Sequence, residues 1–560
     1  MKQVWLALFV ALFTLPSFAI VDMRNANYSD TWTDIETGSA GFDLKVKRTY
    51  NSRTVHNGIF GFGWCSDYET KIKVTAQNTL RLTECGAGLN IEYSRGKAKS
   101  EKSVNSLIKD IMAEVKKRNK GQPKSFFSNL ERQMRTDELL RDEFAKQLNM
   151  TGKIAKGKKY FAEGRGNEWV TREGNNFVRR IPSGTIQKFN SKGDLIEIKD
   201  TSNNFLKLSY NGKKIAKIVN SSGSSLQFKY AKGSRYVASI VGPNNTKATY
   251  KYKGENLVSV KNAWKNTYGY QYDDLHNMTR INYPDKTFIK VTYNKDKDWV
   301  TSFRNRKGCV ETYKYGQAKK DPLNNYSSRV VKKCNGKITN KSSYEFWHKI
   351  RKDGSRYLAQ SESVVNGKKA TTKYHPEHGR PIEIAKQGTK VRYSYYKNGL
   401  LKTKNQPGQE IRYKYSGTCQ KPSEVESRYA VKRLAKGKRK PSTITKVVKT
   451  NFKYNRKNCL LTSAKNSEGQ SAAVKYDRKG KIRQIVDQSK KIVNITYDDR
   501  FGKPKVVERP GLGKIKFIYK SNGDLDKIDS DDEPLVAVQV ANMFSNLLEI
   551  IGPGTTETPI

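Results

Sequence analysis

Apolar and polar positions alternate with period two through most of this chain, and one short phrase returns again and again. It opens with apolar or aromatic residues two apart, as in Leu226-x-Phe228-x-Tyr230, Tyr250-x-Tyr252, Tyr270-x-Tyr272, Ile411-x-Tyr413-x-Tyr415 and Ile515-x-Phe517-x-Tyr519. A polar turn follows, usually with glycine, and then a second alternating stretch. Period-two alternation predicts strands, and a polar turn between two of them predicts a hairpin. The anchoring aromatics are Phe189, Tyr210, Tyr230, Tyr252, Tyr272, Tyr293 and Tyr315, then Tyr374, Tyr395, Tyr415, Tyr454, Tyr476, Tyr497 and Tyr519. Within each series they stand 20 to 22 residues apart, except for 39 between Tyr415 and Tyr454. A fixed period of this size marks a repeat array in which each unit buries its face only against its neighbours. Each unit is expected to be two strands and two turns. The wide interval after Tyr415 is expected to hold one degenerate unit and an inserted basic loop.

Turn chemistry follows the anchors. Tyr476-Asp477-Arg478-Lys479-Gly480 and Tyr497-Asp498-Asp499-Arg500-Phe501-Gly502 place an Asx acceptor and then a glycine, as tight turns require. Tyr374-His375-Pro376-Glu377-His378-Gly379 is the same turn with the Asp replaced.

Two segments break the pattern. In residues 101–150, Val104, Leu107, Ile108, Ile111 and Val115 fall at helical spacing, as do Phe127, Leu130 and Met134, then Leu139, Leu140, Phe144 and Leu148. Gly121-Gln122-Pro123 is expected to separate two helices, either closing one end of the sheet or binding a partner. From residue 529 to 560 there is no basic residue, and 535–551 is apolar enough for one short helix. Such a tail either folds back on the basic surface or stays solvated.

At the N-terminus, Lys2, an apolar run over 4–15, Pro16 and Ser17-Phe18-Ala19 read as a secretory signal peptide cleaved after Ala19. The run is too short to span a bilayer, and no later segment reaches the ~18 apolar residues a span needs. The mature protein is expected in a periplasm, at a cell surface or outside the cell. Export makes six cysteines a disulfide set. Proximity alone suggests Cys65 with Cys85, Cys309 with Cys334 and Cys419 with Cys459, among the ~15 connectivities six cysteines allow.

Composition adds one thing the pattern does not show. The 560 residues hold 107 Lys+Arg against 53 Asp+Glu, a net charge of +54, far beyond what solubility needs. The 31 tyrosines exclude general disorder and favour half-buried strands.

These residues resemble the YD repeats of the Rhs (rearrangement hotspot) family. Arg48-Thr49-Tyr50-Asn51-Ser52-Arg53 and Phe60-Gly61-Phe62-Gly63-Trp64 are similar to the segment that leads into such repeats, and Ile181-Pro182-Ser183-Gly184 with Lys192-Gly193-Asp194-Leu195 to the first repeat. The resemblance covers about 40–100 and 160–527 and implies a mainly β fold, a long sheet coiled into a hollow shell, often around a cargo. The self-cleavage motif and toxin domain that end many family members do not occur here, and the array is shorter than in the large cage-forming members, so a partial or open shell is expected. The chain then divides into a signal peptide (1–19), an Rhs-type lead-in domain (20–100), a helical insert (101–150), the repeat shell (151–528) and an acidic-apolar tail (529–560).

Alternation would place Gln227, Lys229, Thr249, Lys251, Arg412, Lys414, Lys514 and Lys516 on one sheet face, giving rows of basic side chains. The densest run is Arg428, Lys432, Arg433, Lys436, Lys438, Arg439 and Lys440, placed in the inserted loop and free of acids. It suits phosphate, sulfate or carboxylate groups, or else is a solvated loop. The expected partner is an anionic polysaccharide, lipopolysaccharide, extracellular DNA or another polyanion, with an enclosed protein cargo as the alternative. Trp264, Trp299 and Trp347 would stack on sugars or lie in the core. No catalytic, metal or cofactor site is expected: Pro376 prevents the helix that a metalloprotease His pair would need at His375 and His378, and His56 stands alone.

Overall fold

The computed structural model describes residues 20–39, 41–84, 89–95, 101–162, 165, 168–417, 419–433, 442–520 and 524–530. The proposed signal peptide and residues 531–560 of the tail lie outside them.

Thirty-six antiparallel strands, from Lys71–Val74 to Leu525–Ser530, form one continuous sheet, each pairing with the next along the chain. Its first edge closes on the sheet itself. The Ile72 N–H donates to the Gly193 carbonyl at 2.9 Å, and Lys71 Nζ to Asp194 Oδ1 at 2.6 Å. Gly193 has φ +81°, and a Cβ there would collide with the Ile72 carbonyl, so glycine serves both the turn and the seam. Farther on the sheet coils back past its own rim: Asn204 Nδ2 donates to the Lys479 carbonyl at 2.9 Å, across 275 residues.

The anchors show why tyrosine recurs. At Phe189 and at every tyrosine anchor except Tyr315 the strand carries a register shift, the mark of a β-bulge. Most anchor hydroxyls then donate to a carbonyl 15 residues upstream: Tyr210 to Leu195, Tyr230 to Ile215, Tyr252 to Val237, Tyr272 to Leu257, Tyr293 to Met278 and Tyr315 to Val300. Tyr476, Tyr497 and Tyr519 do the same with Leu461, Ile482 and Pro504. Each bond ties the end of one strand to the start of the paired strand before it. Phe189 has no hydroxyl to give, and Tyr374 bonds Ser361 Oγ at 3.0 Å instead. The turns that follow use their Asp or Asn as expected, with Asp477 Oδ1 accepting from the N–H of Lys479 and of Lys481.

Two expectations need correction. The wide interval after Tyr415 holds no degenerate unit: it is one ordinary repeat whose strands, Pro422–Arg433 and Ser442–Tyr454, have grown to 12 and 13 residues. Tyr454 still reaches back, to the Pro422 carbonyl at 2.9 Å. The interval from Tyr315 to Tyr374 is similarly two repeats with long strands, and its missing anchor falls at a register shift between Trp347 and His348.

The helical insert has three helices, not two: α1 (Glu101–Arg118), α2 (Lys124–Thr136) and α3 (Glu138–Gln147). Asp137 breaks the second in two. Its backbone is extended, and its carboxylate accepts from the Leu140 N–H at 3.1 Å, capping α3. The helices share a core of Val104, Leu107, Ile108, Ile111, Met112, Val115, Leu130 and Met134. Buried Arg141 donates to the Asp353 carbonyl at 3.0 Å, pinning the insert to a turn 212 residues farther on.

A separate four-stranded sheet, Ile20–Asp22, Asn27–Thr37, Leu44–Asn51 and Trp64–Cys65, lies against the apolar face of the long one. Trp32 meets Tyr270, Tyr28 meets Phe303 and Phe60 meets Tyr250, with ring centroids 5.1–5.9 Å apart. Cys309–Cys334 and Cys419–Cys459 are disulfides across neighbouring hairpin ends. Cys65 is also disulfide-bonded; Cys85 lies outside the described residues.

Candidate polyanion-binding face

Strand alternation divides the sheet chemically. Leu226, Phe228, Tyr250 and Tyr270 are buried on the face that meets the four-stranded sheet. On the opposite face Gln227, Lys229 and Lys251 are exposed and Thr249 half-buried. The same alternation exposes Arg412, Lys414 and Lys516 beside buried Tyr413 and Ile515, with Lys514 half-buried.

The basic rows are not uniform. In the later repeats acids answer many of them: Arg412 pairs with Glu410 at 2.9 Å and Lys414 with Glu424 at 2.9 Å. In the earlier repeats Lys207, Lys217, Lys229, Lys251 and Lys261 are exposed with no ion pair among the described residues.

The dense run is placed differently from expectation. Arg428, Lys432 and Arg433 belong to the strand Pro422–Arg433 rather than to a loop. The run itself holds no acid, but Arg428 is answered from outside it: its Nε donates to Glu426 Oε1 at 2.5 Å, and Lys449 approaches the same carboxylate at 3.2 Å. The Arg428 hydrogen bond holds Glu426 below the usual carboxylate range. Residues two apart on a strand share a face, so this pair is the ordinary consequence of Glu-x-Arg in a strand. The side chains of Lys432 and Arg433, and all of Lys436, Lys438, Arg439 and Lys440, lie outside the described residues.

The remaining candidates divide plainly. Trp264 is 48% exposed, Trp299 packs edge-on against Tyr315, and Trp347 is half-buried. His375 acts as the turn's acceptor: its Nδ1 takes the N–H of Glu377 and of His378 at 3.1 and 3.2 Å. The two imidazoles stack at 4.3 Å, an arrangement that does not converge on a metal. His56 Nε2 stands 3.4 Å from Glu69 Oε1, whose carboxylate also takes the N–H of Ile59 and of Ser66. Among the described residues no group of three or more His, Cys, Asp or Glu is placed to hold a metal, and no helix is long and apolar enough to cross a membrane.

Sequence reasoning missed the polar groups buried under the four-stranded sheet. Arg48 and Asp34 form an ion pair with side chains 0% and 1% exposed. Asp30 is buried nearby, and desolvation pushes its carboxyl up to about 7, against the pull of the Thr31 N–H at 2.7 Å. A carboxyl that keeps its proton to about pH 7 in the fold, but loses it near ~3.9 unfolded, costs nothing below pH 4. The cost then grows as pH rises and levels off above about 7, at roughly 4 kcal/mol. Asp30→Asn should therefore raise the melting temperature at pH 8 and leave it unchanged at pH 4. Equal shifts at both pH values would show that Asp30 ionises normally.

Residues 19–91 match a family model described as a domain of unknown function, DUF6531. No curated protein matches. Among solved structures the chain is similar to TcdB2-TccC3-TEV, at TM-score 0.31 and 9% identity, covering 94% of this chain and 32% of that one. It is similar to the Tc holotoxin pore of Photorhabdus luminescens at TM-score 0.31 and 9% identity, covering 89% of this chain and 30% of that one. A porin-like protein from Bacteroides uniformis gives TM-score 0.14 and 10% identity over 50% of this chain and 92% of its own. The chain spans about a third of the length of the first two. The fold described above rests on this chain's own strands.

Proposed function

We propose that the protein is an exported, non-enzymatic β-shell that binds anionic polymers at a cell surface. One observation carries the reading. In the early repeats one sheet face packs against the N-terminal sheet, while the other carries exposed lysines that no acid answers among the described residues. Rows of like charge on adjacent strands repel by tenths of a kcal/mol per pair, and an anionic polymer relieves them.

Binding to immobilised polyanions, with salt raised from about 50 to 500 mM, tests it: affinity should fall linearly on a log–log plot with a steep slope. A flat slope with weak binding would mean that the charge only solvates the shell.

A second reading is a hollow carrier around a separately encoded effector or toxin. The long-range coil of the sheet favours it: Asn204 meets the Lys479 carbonyl across 275 residues, and a sheet that coils back past its own rim can enclose a partner. A polypeptide that co-purifies and is released only by denaturant would support it.

A further inference from the structure

We infer that Arg280, Lys290 and Arg304 form a discrete site on the basic face for the sulfate or phosphate esters of a polysaccharide. This rests on the polyanion reading and places its grip away from the Arg428–Lys440 run.

The three residues come from successive strands, Met278–Asn282, Phe288–Tyr293 and Val300–Arg304. The register sets Arg280 opposite Lys290, and Lys290 opposite Arg304. Directly opposed residues hold their Cβ atoms about 5 Å apart, so three cations stand in a row some 10 Å long. Nowhere else in the described sheet do three successive strands oppose basic residues in this way. In the neighbouring repeats the opposed position is a small hydroxyl: Lys229 faces Ser239 and Lys251 faces Ser259.

No carboxylate pairs with any of the three among the described residues. Arg306 shows the other outcome, since Asp285 takes it. The row is also held in place. Arg280 and Arg304 both lie over the ring of Phe288, their guanidinium carbons 3.7 and 4.4 Å from its centroid. Arg280 Nε is further tied to Asn282 Oδ1 at 2.9 Å. Stacking fixes the planes of the two forks and so lowers the entropy lost when they bind. Lys290 is exposed between them.

This geometry selects its ligand. A sulfate or phosphate ester offers three oxygens to three donors in a row, whereas a planar carboxylate offers two. Two guanidinium groups already lie over the Phe288 ring, so it is a poor platform for the base stacking that single-stranded nucleic acid would require. A sulfated or phosphorylated polysaccharide needs no such platform.

The test is calorimetric titration of the full chain, at one fixed ionic strength, with three probes of matched charge: a sulfated heparin-type octasaccharide, a polyuronate oligosaccharide and a single-stranded DNA oligonucleotide. The triple variant R280Q/K290Q/R304Q is compared with K217Q/K229Q/K251Q, which removes the same charge from the same face. The sulfated probe should lose about tenfold or more in affinity with the first variant and about threefold or less with the second. K290Q alone leaves the Phe288 stack intact and should still weaken binding, which guards against a folding artefact in the triple variant. Equal losses in both triples would overturn the site, with the polyanion reading left standing. Tighter, triad-dependent binding of DNA or polyuronate would overturn the ligand class. Failure of the unmodified protein to bind any probe would overturn both.

Discussion

Asp34→Ala is expected to cost roughly 3–5 kcal/mol of stability, because it strands a buried guanidinium. Arg48 donates from Nε to Asp34 Oδ2 at 2.5 Å and from a terminal nitrogen to Oδ1 at 2.9 Å. Trp64, Tyr270, Trp32 and Tyr250 enclose it, with ring centroids 4.6–5.9 Å from the guanidinium carbon. No route to water is left for the charge, so losing its partner costs far more than the bond itself. Asp34 Oδ2 also accepts the Tyr250 hydroxyl at 2.9 Å, which ties the N-terminal sheet to the shell. Denaturant unfolding followed by tryptophan fluorescence reads the loss directly, since Trp32 and Trp64 flank the site. The double variant Arg48→Met/Asp34→Leu should recover most of the stability, as replacing a whole buried pair by apolar groups is often neutral. A single-variant loss below about 1 kcal/mol would show that the cage opens to water.

Tyr272→Phe should be the costliest of the anchor substitutions, at roughly 2–5 kcal/mol, because two buried groups lose their partner at once. The Tyr272 hydroxyl donates to the Leu257 carbonyl at 2.7 Å and accepts the Trp64 indole N–H at 2.9 Å. Leu257 and Trp64 are both fully buried. Tyr519→Phe removes a single bond, to the Pro504 carbonyl at 2.7 Å near the end of the described sheet, and should cost about 1 kcal/mol. Melting both variants side by side distinguishes the roles. Equal shifts would mean that Tyr272 is one more rung of the ladder and does not fasten the N-terminal sheet.

Much of this fold is legible in the amino-acid sequence. Tyr497-Asp498 reads as a strand end and a turn because period-two alternation stops where an Asx acceptor starts. The three-helix insert is half legible: its apolar spacing marks helices, but Asp137 reads equally as a polar-face residue or as an N-cap. The basic run reads as a loop for a related reason. Arg428 to Arg433 carries few apolar residues, yet it is strand, because the lengthened hairpin pairs its backbone with Ser442–Tyr454.

The functional candidates divide along the same line. Alternation alone exposes Lys229 and Lys251, since side chains two apart on a strand share a face. It cannot say which cations meet. Arg280, Lys290 and Arg304 are 10 and 14 residues apart in the chain, and only the cross-strand register makes them neighbours. Arg48 and Asp34 look like two more charges in a basic, polar segment until the N-terminal sheet folds onto the aromatic face and shuts out water.

Local pattern therefore determined the repeat, its turns and its two-faced sheet, because these depend on residues within one hairpin. The tertiary structure alone decided the seam at Gly193, the coil that brings Asn204 to Lys479, the buried ion pair and the basic triad. Each joins residues from different strands or different coils, and for the Arg48–Asp34 pair burial sets its strength by removing the solvent that would otherwise compete for the same charges.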